Sequence, residues 1–330
     1  MVAAHPTLTS QVADVMKNPI SLEDINRAHR ELSNWGRWGN EDQIGTLNLV
    51  TPERVAAAAR LSLQGTVFAL GASLKWPLQA GAFTGRWNAI HSYMRDGADI
   101  CANHAIQQNQ YTDDAIHMPL QCSTHWDALC HVFHCGEAYN GGQARDFGST
   151  GPTNLGIEKT AGKMVGRGVL LDVARFKRVA HLPFGYEITN DDLDKCAREQ
   201  GVNVGAGDFV IIRTGYQEKF LSEGNWVGHS DSAAPGVAFE NCRWLKERDV
   251  AGIASDTYAV EVVPNGTAGY NFPWHAVAIP SIGVTVGEML YLKDLAEDCA
   301  RDRVFEFFFC APALNLPGGT GSPTNPYAIK

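Results

Sequence analysis

The segment from Leu120 to His134 holds the densest group of side chains in the sequence that could bind a metal ion. Within it, Gln121, His125 and Asp127 share one parity, so in an extended strand their side chains would point to the same face. On a helix, Gln121 and His125 would align, but Asp127 would point about 120° away from them. The spacing therefore predicts a strand that brings these three side chains to one site.

An imidazole and a carboxylate two residues apart suit a divalent cation such as zinc or manganese. His131 follows closely enough to act on a metal-bound water. Two alternatives stay open from the segment alone. These residues could be ordinary polar residues in a turn, or the neighbouring Cys122 or Cys130 could be a nucleophile with His131 as its base.

The composition excludes several classes of protein. The 330 residues carry 27 Lys and Arg against 36 Asp and Glu, a net charge of -9, which disfavours binding to nucleic acid. The sequence contains neither a run of about 18 apolar residues nor a signal-peptide pattern, so we expect a cytoplasmic protein without membrane contact. The eight cysteines form no Cys-x-x-Cys pair, which disfavours a zinc finger or a disulfide framework.

Apolar runs of strand length alternate with helical patterns, which is typical of an α/β domain with a mixed β-sheet core flanked by helices. The patterns predict strands at 169–173, 209–214, 250–254 and 305–309, and helices at 22–32, 52–63, 190–200 and 235–248. The tail at 316–326 is too rich in Pro and Gly for regular structure. Without a repeat or a linker, we expect one domain at 35–330, preceded by an N-terminal arm at 1–34.

The His-x-Asp motif is the first of four features that occur along the sequence in a recognisable order. They are the His-x-Asp motif with His131 after it, the segments 207–215 and 252–257, and a late pair, His275 and Glu288. From about Trp35 to the C-terminus, this order resembles the cyclase family of metal-dependent hydrolases, which includes bacterial kynurenine formamidases and isatin hydrolases. The opening Trp-Gly-Arg-Trp-Gly and the ending Gly-Ser-Pro-x-Asn-Pro resemble the longer branch of that family. The resemblance implies the family's swivelling β/β/α fold.

The resemblance also implies roles for individual residues. The metal ligands would be His125, Asp127, His275 and Glu288, with zinc or manganese as the cofactor, and His131 would be the general acid and base. Gln121 stands where the family usually has a histidine ligand. An amide oxygen is a harder and weaker donor than imidazole, so Gln121 as a ligand would favour manganese or magnesium over zinc, or leave the site empty.

The activity that the resemblance implies is the opening of a cyclic amide, imide or lactone, or the cleavage of an aryl formamide, by a metal-activated water. It also implies a homo-oligomer, a dimer or tetramer. Trp38, Trp126 and Trp274 are candidate walls of a pocket for a planar ring, with core packing as the alternative for each. Two other functions stay open: a metal-free small-molecule binding protein on the same fold, and a metal-independent hydrolase or cyclase that uses His131 with Asp127.

Overall fold

The computed structural model describes residues 20–80, 85–102, 110–267 and 269–330. The helices of this described part are α1 (Leu22–Glu31), α2 (Pro52–Ala59), α3 (Gly97–Ala102), α4 (Val173–Phe176), α5 (Asn190–Gln200), α6 (Tyr216–Glu223), α7 (Asn241–Arg248), α8 (His275–Val277) and α9 (Lys293–Asp302). Short 3₁₀ helices occur at Gly45–Leu49, Tyr139–Gly141, Ala144–Asp146 and Ile157–Thr160, and a π-helix follows α8 at Ala278–Ile282. None of the described helices is long and apolar enough to cross a membrane.

The strands of the described residues are β1 (Val67–Ala69), β2 (Ile90–Arg95), β3 (Asp113–His117), β4 (His125–Asp127), β5 (Val165–Asp172), β6 (Glu187–Ile188), β7 (Phe209–Arg213), β8 (Gly236–Val237), β9 (Gly252–Ser255), β10 (Thr285–Glu288), β11 (Glu306–Cys310), β12 (Gly321–Pro323) and β13 (Tyr327–Ile329). Nine of these described strands form one mixed sheet, in the order β1-β13-β11-β5-β7-β9-β10-β4-β12. The neighbours β5, β7, β9 and β10 run parallel and the outer pairs run antiparallel. The predicted α/β fold with a mixed sheet is confirmed.

The strands at the centre of this sheet are buried, which explains their apolar sequences. All five residues of β7 are buried, and so are all four residues of β9 and of β10. Parallel strands covered on both faces read as continuous apolar runs, which is why the pattern at 209–214 and 250–254 predicted them. The structure places the strands within one or two residues of those predictions.

Side-chain caps explain where the first helices begin. Ser21 accepts a hydrogen bond from the Asp24 amide while the Asp24 carboxylate accepts one from the Ser21 amide, so α1 begins with a capping box. Thr51 caps α2 in the same position. Both helices begin where the sequence predicts, but α2 ends at Ala59, four residues before the predicted end at Leu63.

Two predictions about regular structure were wrong. The helix expected from Pro235 begins only at Asn241, because Gly236 and Val237 form β8 and pair with β6 in a separate small sheet. The tail expected to be irregular contains β12, which pairs antiparallel with β4. Since β12 lies at the edge of the sheet, its Pro323 is tolerated there.

Residues 1–19 of the predicted N-terminal arm lie outside the described residues. Residues 20–34 pack against the rest of the chain. Ile25 on α1 is fully buried, the His29 ring hydrogen-bonds to Ser281, and the Asn34 side-chain amide donates to the Ile282 carbonyl at 2.8 Å. This part of the chain therefore supports the π-helix that follows α8, and the domain boundary at 35 stays a prediction.

The pairing of β4 with β10 depends on a glycine. Trp126 in β4 is fully buried, packs against Phe209 and Phe309 with ring centroids 6.3 and 6.2 Å away, and lies opposite Gly287 of β10. A Cβ at Gly287 would come within 2.7 Å of the Trp126 ring and 2.8 Å of the Ala254 Cβ. The missing side chain thus leaves room for the indole between the two strands.

Gly287→Ala should therefore lower the free energy of unfolding by about 1–3 kcal/mol, the usual cost of overpacking a core. Urea unfolding of the two proteins measures the difference. Gly97→Ala is the matched control, because an added Cβ at Gly97 meets no atom within 4 Å. Equal unfolding midpoints for wild type and Gly287→Ala would show that the contact is not tight.

Candidate metal centre

Four ionisable side chains meet where β4 pairs with β10. His125 Nε2 lies 3.2 Å from Asp127 Oδ1 and 3.5 Å from Glu288 Oε2. His275 Nε2 lies 3.4 Å from Glu288 Oε1. All four residues are at most 5% exposed, and ligand atoms of Asp127, His275 and Glu288 lie within 4.8 Å of one another. This spacing can hold a metal ion.

The sheet brings three of these side chains together. His125 and Asp127 are two residues apart in β4, so both point to the same face. Glu288 lies directly opposite His125 in the antiparallel ladder. His275 is the first residue of α8 and comes to the site from outside the sheet.

Hydrogen bonds fix which nitrogen of each imidazole carries the proton. His125 Nδ1 donates to the Ser123 carbonyl at 2.8 Å, and His275 Nδ1 donates to Glu261 Oε1 at 2.5 Å. Both partners can only accept, so each Nδ1 must carry hydrogen. In the neutral rings, each Nε2 then has a lone pair available to a metal, and each Nε2 faces the carboxylates.

Two atoms of the cluster show that its donor set fits a cation. His125 Nε2 and Asp127 Oδ1 are buried and have no hydrogen-bond partner among the described residues. Buried polar atoms are normally paired, because leaving them unpaired costs free energy. A divalent cation held by His125, Asp127, His275 and Glu288 would satisfy both atoms.

The charges of the cluster stabilise one another. Burial raises the pKa of Asp127, but the neighbouring His131 and His125 outweigh it and hold that pKa below its usual range. Burial lowers the pKa of His275, but Glu261 and Glu288 outweigh it and raise the pKa to about 10. Burial likewise lowers the pKa of His125, and Asp127 and Glu288 reverse the effect. Asp127 is therefore an ionised, negatively charged donor within the core.

A cavity of about 150 Å³ adjoins the cluster. It is lined by Arg86, Asp127, His131, Val132, Tyr258, Ala259, Phe272, His275 and Glu288. The His131 side chain is 25% exposed, and its Nε2 lies 3.7 Å from Asp127 Oδ1, too far for a hydrogen bond. Burial lowers the pKa of His131 despite the charge of Asp127. His131 is thus a cavity-facing imidazole that is neutral at neutral pH.

Gln121 lies outside the strand that the parity argument assumed. Strand β4 begins at His125, and residues 120–124 form a turn and a bend, so the alternation does not extend to Gln121. The Gln121 side-chain amide donates to Thr320 Oγ1 at 3.2 Å, and the described residues that line the cavity do not include Gln121. Its role as a ligand stays a prediction.

The structure does not bring the three candidate tryptophans to the cavity. Trp126 points to the opposite face from its neighbours His125 and Asp127, into the core, where its Nε1 donates to the Ala311 carbonyl at 2.9 Å. Trp274 is fully buried behind His275. The guanidinium of Arg37 covers Trp38, which is not among the described residues that line the cavity.

The aromatic side chains that do line the cavity are Tyr258 and Phe272, and sequence reasoning missed both. Each had a signal. Tyr258 follows the carboxyl end of the parallel strand β9, where sites on such sheets are commonly found, and Phe272 lies three residues before His275. Glu261, the partner of His275, was also missed. Its signal is an acidic residue inside the apolar run 260–263.

The chain is similar to a family model and to several proteins of known structure. A family model described as "Putative cyclase" matches residues 49–262. A crystal structure of a novel cyclase is 38% identical over 92% of this chain and 99% of its own, with a TM-score of 0.83. Isatin hydrolase A from Ralstonia solanacearum is 21% identical over 84% of this chain and 97% of its own, with a TM-score of 0.59.

A predicted metal-dependent hydrolase from Bacillus stearothermophilus is 19% identical over 80% of this chain and 97% of its own, with a TM-score of 0.50. At these identities, the likeness to the two hydrolases shows a shared fold. No curated protein matches the chain in sequence.

Proposed function

We propose that this chain, which belongs to the cyclase family, is a metal-dependent hydrolase that opens a cyclic amide, imide or lactone or cleaves an aryl formamide. The observation that carries the proposal is the buried cluster of Asp127, His275 and Glu288, which adjoins a cavity containing His131. The shared fold of an isatin hydrolase and a predicted metal-dependent hydrolase supports the same reaction class.

Two imidazoles and two carboxylates form a donor set that zinc or manganese accepts. When bound, a divalent cation supplies Lewis acidity, which polarises a carbonyl group and lowers the pKa of a water to about 7. The protein's contribution is to hold the donors rigidly: each Nε2 is aimed by the hydrogen bond that the opposite ring nitrogen makes.

His131 is the residue that moves the proton in this proposal. It lines the cavity, and its Nε2 lies 3.7 Å from Asp127 Oδ1. As a neutral imidazole it accepts a proton from the attacking water at Nε2 and returns it to the leaving nitrogen or oxygen.

The remaining walls of the cavity indicate the size and polarity of the substrate. Tyr258, Phe272 and Val132 offer apolar surface to a ring. The volume of about 150 Å³ is well below the roughly 300–1,000 Å³ of pockets for drug-sized ligands. The substrate in this proposal is therefore a small molecule with one planar ring system next to the scissile bond.

The alternatives left open by the sequence receive less support. Burial raises the pKa of Cys130 to about 12 and also raises that of Cys122, so neither thiol is a ready nucleophile. A metal-free binding protein, or a metal-independent enzyme using His131 with Asp127, would leave His125 Nε2 and Asp127 Oδ1 buried with no hydrogen-bond partner in the part of the chain that the structure describes.

We also propose that the chain forms a homo-oligomer, a dimer or tetramer, through the two-stranded β2–β3 sheet. Every residue of β3 is exposed and so is every residue of β2 except Arg95. The apolar side chains of Ile90, Tyr93 and Met94 are 55–69% exposed. Because two strands alone are only marginally stable in water, a covering surface would stabilise this sheet. In this proposal a second copy provides that surface, by a self-complementary contact between identical two-stranded sheets.

His131→Ala should lower turnover by about 10²–10⁴-fold, the usual worth of a proton-transfer group, and leave the metal content unchanged. Asp127→Ala should lose both the cation and the activity. Hydrolysis of a panel of aryl formamides, cyclic imides and lactones, measured together with metal content, tests this pair. His181→Ala, which alters a histidine outside the site, is the control.

Loss of metal from His131→Ala to the same degree as from Asp127→Ala would make His131 a ligand instead. Retention of both metal and activity would make it structural. A metal-loaded wild type that hydrolyses no member of the panel would contradict the proposed reaction.

Replacing Tyr93 and Met94 together by Glu should reduce the molar mass in solution to that of a smaller assembly, because buried like charges oppose the contact between two β2–β3 sheets. Size-exclusion chromatography with light scattering measures the mass. Val227→Glu, at another exposed apolar position, is the control. An unchanged mass, or a monomeric wild type, would contradict this interface.

A further inference from the structure

We propose that Glu261 is a positioning residue that keeps His275 in the tautomer able to bind a metal ion, and that the small β6–β8 sheet holds Glu261 in place. The inference rests on the proposed metal centre and concerns a residue outside the ligand set. It assigns a function to a sheet that lies apart from the main one.

The carboxylate of Glu261 makes three contacts with the start of α8. Its Oε1 accepts hydrogen bonds from His275 Nδ1 at 2.5 Å and from the His275 amide at 3.1 Å, and its Oε2 accepts one from the Trp274 amide at 3.2 Å. Glu261 is 1% exposed, so water does not compete for these bonds. One side chain therefore holds both the ring and the backbone of His275.

These contacts determine the chemistry of His275. The Glu261 oxygen accepts the hydrogen bond from Nδ1, so the hydrogen lies on Nδ1 and, in the neutral ring, the lone pair lies on Nε2. That Nε2 faces Glu288 Oε1 at 3.4 Å, on the side of the cluster. A carboxylate on the far nitrogen also makes an imidazole a stronger donor to a metal. His125 has only the Ser123 carbonyl in the equivalent place.

Strand β8 fixes the backbone on both sides of Glu261. The Val237 amide donates to the Val260 carbonyl at 2.9 Å, and the Val262 amide donates to the Val237 carbonyl at 3.2 Å. A Cβ at Gly236 would come within 2.3 Å of the Glu261 carbonyl carbon, so only glycine permits this approach. The β6–β8 sheet thus holds the backbone of Glu261, and the Glu261 side chain in turn orients His275.

The test compares the metal affinity of stripped proteins, titrated with Zn²⁺ against a competing indicator. Glu261→Met removes both carboxylate oxygens and should weaken affinity by about 10–100-fold, the usual effect of losing an outer partner of a ligand. Glu261→Gln should weaken it less, because its amide oxygen still accepts from Nδ1. Asp208→Asn, which alters a buried carboxylate outside the site, should leave affinity unchanged.

A second measurement needs no variant and reports the tautomer directly. Long-range ¹H–¹⁵N spectra of the zinc-loaded wild type should show His275 protonated on Nδ1 and zinc-bound through Nε2. Zinc on Nδ1, or Glu261→Met with wild-type affinity, would overturn the role of Glu261. Absence of zinc uptake by the wild type would overturn the proposed metal centre and this inference with it. Zinc uptake without hydrolysis would overturn only the proposed reaction.

Discussion

The burial of two carboxyl groups, those of Asp127 and Glu288, is the constraint on which this structure depends. Both carboxylates are at most 5% exposed, and a buried carboxylate is tolerated only when opposite charge and hydrogen bonds compensate it. The imidazoles of His125 and His275, 3.2–3.5 Å from these oxygens, supply part of the compensation. A divalent cation would supply the rest, and it would pair His125 Nε2 and Asp127 Oδ1, which have no hydrogen-bond partner among the described residues.

Such a cluster requires a scaffold that cannot relax away from it. The β4–β10 ladder sets His125 against Glu288, and Gly287 lets Trp126 pack between the strands on the other face. On the outer side, β12 covers β4, with Gly321 opposite Asp127 and Pro323 opposite His125. The cluster is thus enclosed by paired strands, whereas His275 comes from a helix and needs a carboxylate to orient it.

Part of this site could be predicted from the sequence. The two-residue spacing of His125 and Asp127 placed them on one face, and the same rule places Trp126 on the other face, in the core. Nothing in local periodicity connects His275 or Glu288 to that strand, and only the family order linked them. An acidic residue inside the apolar run 260–263 singles out Glu261, but its contact with His275 could not be predicted, because the backbone around Glu261 is held by a long-range contact with β8.

The fold shows the same division between local and long-range effects. Caps and apolar runs predicted α1, α5 and three of the parallel strands, β5, β7 and β9, because these elements depend on nearby residues and on burial. The β8 and β12 strands were missed, because Gly and Pro disfavour strands locally and only pairing with β6 and β4 overrides this preference.

Diffraction at the zinc absorption edge from crystals soaked in Zn²⁺ tests the central claim most directly. The account predicts an anomalous peak among His125, Asp127, His275 and Glu288, with ligand distances of about 2.0–2.2 Å, and ring orientations unchanged from those that Ser123 and Glu261 impose. No peak at this cluster after soaking at millimolar zinc, or a peak only elsewhere on the chain, would contradict it.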